Sequence, residues 1–420
     1  MDNCPFFKNQ IYRGAGKVSI LRSIFGIFAI LFLGYLLSYD RKNIKWRTVL
    51  AGFAVQLTFA FLVMKTSGGV YVLESLSNGF NKVIAQANEG IQFVFGGLYA
   101  PGTNIGFVFA FNVLPLIIFF GALISVLYHL GIMQFVIKYI GGGISKLLGT
   151  KDAESISAAA NIFLGQTEAP LVIKPYIANL SRSQLFAVLT CGVASVSGST
   201  LAAYAALGVP MKYLIAGSFM AAPSGLVFAK LVMPETEPES AEEKIEFTKS
   251  DSVNVIEAAA KGTIDGMNIA LIIGAILISF IALVSLVNMM LGGIGNIFGI
   301  QITLQSILGY IFAPIAFVMG IPWHEAIYSG SLLGQKMILN EFVAYVDFGA
   351  NMQGLSEKTI AIMSFALLGF ANVASLGLQI GALGAIAPNR RSEIAQVGMR
   401  AIMAGFLASL LNGVIAGLFF

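Results

Sequence analysis

The chain has 420 residues, of which 57% are hydrophobic and only 11% are charged, and its formal net charge is +4. A soluble domain carries about 25% charged residues, so a chain with so few charges needs lipid around it, and its length is better divided into membrane spans of about 20 residues. The charge pattern gives no support for nucleic-acid binding, and Cys4 and Cys191 suggest neither a disulfide framework nor a zinc site.

Long apolar runs predict eight membrane-spanning helices. The first run, residues 18–38, competes with a signal peptide as an interpretation. It is long for the hydrophobic part of such a peptide, and YDRK (39–42) follows it in place of the small residues of a cleavage site, so an uncleaved span is favoured. The other predicted spans lie near residues 48–66, 107–128, 184–209, 213–233, 267–291, 360–388 and 394–420.

Three stretches between these runs are not predicted to span. Residues 69–106 mix Asn, Glu and Gly with apolar residues and predict an interfacial helix and a loop. Residues 145–180 and 303–350 contain apolar pieces that are too short to cross and are broken by Pro, Gly and charges. Non-helical backbone at membrane depth is tolerated only inside protein or beside a water-filled cavity, so both stretches predict re-entrant hairpins.

Lys and Arg residues indicate the orientation, because the cytoplasmic loops of membrane proteins are enriched in them. With eight spans and both ends of the chain outside, the basic stretch 138–151 and the turn 389–391 face the cytoplasm, whereas the basic N-terminal tail argues against this orientation. The glutamate-rich residues 234–257 predict a solvated cytoplasmic linker without a site.

An internal repeat is the most informative pattern. The first copy reads GQTEAP (165–170) and then SRSQLFAVLTCGVASVSGS (181–199), and the second reads GQKMILNEF (334–342) and then SEKTIAIMSFALLGFANVASLG (356–377). Each copy has a polar-tipped stretch with one glutamate, followed by an apolar helix that small and polar residues interrupt near its middle, at 194–198 and at 371–375. Chance similarity between two apolar helices is the alternative. Inverted repeats with discontinuous helices are typical of secondary transporters with a binding site at the membrane midplane.

The repeat divides the chain into predicted parts. These are spans and an interfacial helix at 1–106, a scaffold span at 107–144, the first repeat at 145–233, a charged cytoplasmic loop at 234–266, a scaffold span at 267–302 and the second repeat at 303–420.

The polar residues of the two copies predict a site for a polar solute and a cation. Glutamates at membrane depth, here Glu168 and Glu341, mark substrate or ion paths by default. A carboxylate accepts hydrogen bonds from paired hydroxyls such as those of ribose, and the amides of Gln166 and Asn372 offer both a donor and an acceptor. Sodium prefers hard oxygen ligands. In the first copy such oxygens belong to Asn161, Gln166, Thr167, Ser195 and Ser197.

Simpler interpretations of the glutamates remain open from the sequence. Glu168 could pair with Lys174 or Arg182 near the inner surface, and Glu341 could pair with Lys336 in an outer loop. In either case the carboxylate would only make a loop soluble.

The other polar residues also have simpler interpretations. Asn372 and Ser375 could be hydrogen-bonding contacts between helices. Phe370 could face lipid or pack in the core, and Asp265 and Glu325, at the edges of apolar runs, favour a structural role.

Five segments carry a resemblance to a known family, and they are FGGLYAPG (95–102), SAAANIFLGQTEAPLVIKPYI (157–177), FMAAPSGLVFAKLVMPETE (219–237), NEFVAY (340–345) and GFANVAS (369–375). The chain resembles the bacterial concentrative nucleoside transporters, in particular their sodium-coupled members, from about residue 20 to the end. The resemblance implies an all-α integral membrane protein with eight transmembrane helices, two re-entrant helical hairpins in inverted repeats and interfacial helices. It also implies a homotrimer, multi-pass in the bacterial inner (plasma) membrane.

The resemblance assigns roles to individual residues. It implies nucleobase contacts by Gly165, Gln166, Thr167, Glu168 and Thr200, and ribose contacts by Glu341, Asn372 and Ser375 with Phe370 beside the substrate. It implies a sodium site at Asn161, the carbonyl of Leu164, Ser195 and the carbonyl of Val196. Thr200 stands where the family has a valine, so the base preference stays open, and proton-coupled members differ at the position of Asn161.

The expected function is therefore import of nucleosides such as uridine by alternating access, with sodium as the coupling ion and no other cofactor. A proton-coupled nucleoside symporter is the nearest alternative. An intramembrane enzyme would need a metal or a nucleophile with its base, and His129 and His324 lie far apart without an HExxH motif. A passive channel would need neither the repeat nor a closed polar site.

Overall fold

The computed structural model describes residues 5–98, 107–237, 245, 251–297 and 299–420, with side chains from residue 20 onward. Part of the FGGLYAPG motif and most of the glutamate-rich linker lie outside these ranges. The described residues are helical and contain no strand. The α-helices are α1 (Pro5–Leu36), α2 (Trp46–Lys65), α3 (Ser67–Phe95), α4 (Phe109–Asn112), α5 (Leu114–His129), α6 (Ile132–Leu148), α7 (Asp152–Ala160), α8 (Arg182–Ala194), α9 (Gly198–Ala206), α10 (Met211–Val232), α11 (Val255–Ile297), α12 (Leu304–Val318), α13 (Trp323–Ile338), α14 (Glu341–Asn351), α15 (Glu357–Ala366), α16 (Val373–Ile386) and α17 (Arg391–Leu418).

Several helices have the length and composition of membrane spans. Within the described ranges these are Trp46–Lys65, Phe109–His129, Arg182–Ala206, Met211–Val232, Val255–Ile297 and Pro388–Leu418. Each of them overlaps one of the predicted apolar runs. The runs at 18–38 and 360–388 correspond to the shorter apolar helices Ile20–Leu36 and Val373–Ile386, while α12 and α13 form a pair bent by 116°. The exact number of spans, eight by sequence, stays a prediction.

Two of the apolar helices are broken near their middle, as the repeat predicts. The first break separates α8 from α9 at residues 195–197, inside the predicted interval. The second separates α15 from α16 at residues 367–372, which is earlier than the predicted interval of 371–375. Gly369 has a φ of +122°, a conformation outside the helical range, so the helix ends before it.

A hydroxyl or amide caps the helix that restarts after each break. Ser197 Oγ accepts the N–H of Thr200 at 3.3 Å, and Asn372 Oδ1 accepts the N–H of Ser375 at 2.9 Å. Such caps satisfy backbone donors that a helix start leaves without partners, so the second half of each helix can begin inside the protein.

The stretches predicted to be hairpins are made of short helices. In the first, α7 ends at Ala160, and after a turn the chain continues as a 3₁₀ helix at Ala169–Asn179. In the second, α13 and α14 meet at Asn340, whose side chain accepts the N–H of Val343 at 2.8 Å and so begins α14. Whether these hairpins are re-entrant in a membrane stays a prediction.

The stretch predicted to be interfacial begins as a single long helix. Helix α3 buries Leu73, Ser77, Ala87 and Ile91, which are spaced so that they share one face. Its other positions are mostly exposed. Residues 99–106 of this stretch lie outside the described ranges.

Helices α5 and α11 form a closely packed pair. A Cβ atom at Gly262 would lie 2.4 Å from the carbonyl oxygen of Gly121, and one at Gly266 would lie 2.8 Å from Ile118 Cα. Small residues allow this approach, as at many helix contacts in membranes. In their most apolar windows α11 is 17% buried whereas Arg182–Ala206 is fully buried, so the broken helix lies at the centre of the molecule and α11 lies at its edge.

Candidate substrate and ion site

The two helix breaks touch each other at the centre of the protein. The N–H of Phe370 in the second break donates to the carbonyl of Ser195 in the first break at 3.2 Å. A Cβ atom at Gly369 would lie 2.9 Å from the carbonyl oxygens of Val193 and Ala194, so only glycine fits here. The unwound backbones of both repeats are therefore in direct contact.

The first hairpin packs its tip against the first break. The N–H of Gly198 donates to the carbonyl of Phe163 at 2.9 Å. A Cβ atom at Gly165 would lie 3.7 Å from Ser197 Cβ. Gln166, next along the tip, reaches the other repeat, since its Nε2 donates to Ser375 Oγ at 3.1 Å.

The second hairpin brings Glu341 to the same place. Its Oε2 accepts a hydrogen bond from Asn372 Nδ2 at 2.8 Å, and its Oε1 accepts one from the Tyr204 hydroxyl at 3.4 Å. Glu341 is 4% exposed and Asn372 is 3% exposed. A buried carboxylate thus meets donors from both broken helices, so several polar groups converge at one place inside the protein.

The simpler interpretations of Glu341 and Asn372 are partly excluded. Glu341 and Lys336 are both buried, so they do not form an ion pair in an outer loop. The amino group of Lys336 instead bonds to two carbonyls near the second break and to Ser409. Asn372 does join helices, because it caps α16 and also contacts the hairpin.

The remaining residues of the predicted nucleobase contact lie at or beside the first tip. Glu168 is partly exposed, and its Oε2 accepts the N–H of Gly165 at 3.3 Å. Thr167 is partly exposed beside it. Thr200, in the first turn of α9, is buried and its hydroxyl lies 2.7 Å from Ser197 Oγ.

A cavity of about 520 Å³ is lined both by residues of the first repeat and by residues of the α5–α11 pair. Leu164, Glu168 and Ser199 line it from the repeat, and Lys261 and Asp265 line it from α11. Polar and charged side chains of the first hairpin tip and of α11 thus face the same cavity.

The predicted ion ligands lie at the end of α7 and in the first break. Asn161 is 1% exposed, and its Nδ2 donates to the carbonyl of Ser157 at 2.9 Å while its Oδ1 has no hydrogen-bond partner. Ser195 Oγ donates to the carbonyl of Cys191 at 3.1 Å and keeps its lone pairs. Leu164 and Val196 are also buried.

These ligands fit a hard monovalent cation. An unpartnered amide oxygen in the interior is costly unless something binds it, and neutral oxygens suit sodium rather than a soft metal. In the described ranges no group of three or more His, Cys, Asp and Glu side chains could hold a metal ion.

Two buried polar residues near the predicted site residues were not identified from the sequence. Tyr204 meets Glu341 from α9. Gln379, fully buried on α16, donates from Nε2 to the carbonyl of Leu189 at 2.8 Å, while its Oε1 has no partner. Gln379 lies four residues after Ser375, which is one helical turn, and this spacing could have indicated it.

Comparisons with known families cover nearly the whole chain. The family described as "Na+ dependent nucleoside transporter" matches at residues 25–98 with its N-terminus and at 213–417 with its C-terminus. The family described as "Nucleoside recognition" matches residues 110–211, which include the first hairpin and the first break.

Individual proteins are also similar over nearly the whole of this chain. The nucleoside permease NupC of Helicobacter pylori is 44% identical, with 96% of this chain and 98% of that protein covered. Sodium/nucleoside cotransporter 1 of Homo sapiens is 38% identical over 95% of this chain and 64% of its own length. The structure of CNTnw in an inward-facing substrate-bound state is 48% identical, covers 95% of this chain and 99% of that chain, and superposes with a TM-score of 0.91. A double variant of CNTnw in an outward-facing state, 47% identical with coverage of 96% and 99%, superposes with a TM-score of 0.93.

Proposed function

The chain belongs to the concentrative nucleoside transporter family, and on this premise we propose that it imports nucleosides together with sodium by alternating access. Its family consists of transporters and permeases rather than enzymes. The observation that carries the proposal is the contact of Glu341 with Asn372 and Tyr204, because it places a carboxylate and its donors where both broken helices meet.

The nucleoside binds between the two repeats. Its base faces the first tip, and its ribose faces the second hairpin and the second break. The base contacts are Gly165, Gln166, Thr167, Glu168 and Thr200, and the ribose contacts are Glu341, Asn372 and Ser375 with Phe370 beside them. Glu341 is suited to the ribose because a carboxylate accepts from two neighbouring hydroxyls at once. The amide of Gln166, whose Oε1 has no partner, is suited to a donor on the base.

Sodium binds to Asn161 Oδ1, Ser195 Oγ and the carbonyls of Leu164 and Val196. The ion supplies a positive charge that draws these oxygens together, so the first tip closes against the first break. Support comes from the unpartnered Oδ1 of Asn161 and from the Gly198–Phe163 hydrogen bond, which already joins tip and break. Ordering of Gln166 beside this contact then prepares the base site before the nucleoside arrives.

Entry of sodium supplies the driving force. Moving one charge inward is worth about 2.3 kcal/mol per 100 mV. That free energy supports roughly a fiftyfold nucleoside gradient before any sodium gradient is added. The two repeats move as a unit against a scaffold that includes the α5–α11 pair.

The setting of the transporter is part of the proposal. The chain spans the bacterial inner membrane eight times, with two re-entrant hairpins, and assembles as a homotrimer. The trimer and the location follow from the family resemblance. The division into the first repeat at 145–233 and the second at 303–420 is supported by the two capped breaks.

Uptake of labelled uridine into proteoliposomes tests the proposal. Vesicles receive an inward sodium gradient or an equal choline gradient at fixed pH. Rapid uptake with sodium alone is the expected result. Uptake in choline that follows a pH gradient would replace sodium by a proton. Absence of uridine uptake in either condition contradicts pyrimidine transport, and purine nucleosides are then tested with Thr200 as the first residue to replace.

A further inference from the structure

A fully buried lysine, Lys336, has no role in the site described above. It lies near the C-terminal end of α13 and has no exposed surface. Its Nζ donates to the carbonyl oxygens of Ala366 and Leu368, at 2.8 and 3.3 Å, and to Ser409 Oγ at 2.7 Å. An ammonium group has three N–H donors, so these three acceptors satisfy it completely. A buried charge that is satisfied in this way is an ordered part of the protein interior.

The two carbonyls belong to the end of α15 and to the unwound segment after it. The last carbonyls of a helix lack partners within the helix and carry the negative end of its dipole, where a cation is favourable. Lys336 therefore stabilises the end of α15 at Ala366 and also holds Leu368, which lies in the segment that leads to Phe370 and Asn372.

In the first repeat the corresponding helix is α8, and its end is held by a hydrogen bond between residues close together in the chain. When the capping residues Ser197 and Asn372 are aligned, Ala366 corresponds to Cys191. The carbonyl of Cys191 accepts a hydrogen bond from Ser195, only four residues later in the chain. At the second break the donor comes from the hairpin instead, so a side chain ties the hairpin to the unwound segment.

We propose that Lys336 is a positioning residue, whose buried amino group fixes segment 367–372 so that Phe370 and Asn372 face the substrate. The effect on transport rests on the proposed function, whereas the ordering of segment 367–372 is a property of the chain itself. Lys336 and Glu341 belong to the same hairpin. The hydrogen bonds of Lys336 therefore also keep the carboxylate of Glu341 within hydrogen-bond distance of Asn372, at 2.8 Å.

Hydrogen exchange measured by mass spectrometry on the purified full chain tests the ordering. In Lys336→Met, which removes the donors at similar length, the amides of segment 367–372 should exchange roughly tenfold faster than in the wild type. Lys146→Met is the matched control, because Lys146 is exposed on α6. It should leave exchange in this segment unchanged.

Transport kinetics test the positioning. The KM for uridine should rise roughly tenfold in folded Lys336→Met, and Lys336→Arg, which keeps the charge, should restore part of the loss. A purely structural role would lower the thermal midpoint and leave the KM of the folded protein unchanged.

Two results for Lys336→Met would overturn the inference. The first is unchanged exchange in segment 367–372, and the second is faster exchange there together with a wild-type KM for uridine. If Lys336→Met does not fold, Ser409→Ala keeps the lysine and removes one of its acceptors, and exchange should rise roughly threefold. Unchanged exchange in that variant overturns the inference as well. If the wild-type chain takes up no nucleoside, the proposed function fails, and exchange alone still decides whether Lys336 orders the break.

Discussion

The carboxylate of Glu341 accepts hydrogen bonds from two helices other than its own, through Asn372 and Tyr204. In Glu341→Gln an amide donor would face one of these donors, and the charged acceptor proposed for the ribose would be lost. We expect uridine uptake to fall about 10- to 100-fold, since a hydrogen bond to a charged group is worth about 1.5–3 kcal/mol. Initial uptake rates measure the loss of transport, and the thermal midpoint measures any loss of stability.

A second buried glutamate provides the control for this substitution. Glu325 accepts hydrogen bonds from the N–H and hydroxyl of Ser356, at 2.9 and 2.8 Å, and Ser356 is not among the proposed ribose contacts. Glu325→Gln should lower the thermal midpoint and keep the wild-type KM for uridine. Near-normal uptake by Glu341→Gln would remove the ribose assignment.

The proposed sodium site is also tested at the residue scale, by replacing Asn161. Asn161→Ala removes the unpartnered Oδ1 but only one side-chain hydrogen bond, the one to the carbonyl of Ser157. We expect the sodium concentration for half-maximal uptake to rise about tenfold or more, with a small change in thermal midpoint. Asn412→Ala is the control, because Asn412 is buried and bonds to Gln56 and Ser224 instead. An unchanged sodium dependence in Asn161→Ala would show that the ion binds elsewhere.

At the scale of the elements, the proposed site requires the breaks of the two broken helices to stay in contact. Gly369→Ala would place a Cβ 2.9 Å from two carbonyl oxygens of α8 and strain a φ of +122°. We expect a cost of about 1–3 kcal/mol in stability and a strong loss of uptake. Thermal unfolding and uridine uptake measure these effects.

Another glycine of the same region is the matched control for that substitution. Gly377, inside α16, has open space where a Cβ would lie. Gly377→Ala should be neutral or stabilise the helix by about 0.5–1 kcal/mol. Equal behaviour of the two variants would contradict the idea that the breaks need their close approach.

At the scale of the whole molecule, the proposed alternating access requires that the 520 Å³ cavity beside Glu168 open and close during transport. Leu171 lines this cavity and is 45% exposed. In a chain with Cys4 and Cys191 replaced by alanine, Leu171→Cys should react with a charged thiol reagent at a rate that sodium and uridine change. Lys146→Cys, on an exposed face outside the cavity, should react at a constant rate. A constant rate at Leu171→Cys as well would contradict alternating access through this cavity.

Much of the architecture was predictable because it depends on residues that are close together in the sequence. Apolar runs need lipid as their solvent, so composition alone indicated a membrane protein, and six of the predicted runs overlap helices with the length and composition of spans. The repeat of a polar tip before an interrupted helix indicated the two breaks. The first break falls at 195–197 as predicted because Ser197 is itself the capping residue. The motifs also identified the family, which the comparisons confirm.

By itself the sequence thus determined the class of protein, the family and the residue types of the candidate site. Only the tertiary structure decided which of these residues meet. Gln166 and Ser375 bond across 209 positions of the chain, and Lys336 finds its acceptors 30, 32 and 73 residues away. The second break begins early because Gly369 packs on the carbonyls of α8. Such contacts depend on how the two repeats pack together, and no local pattern of residues encodes that packing.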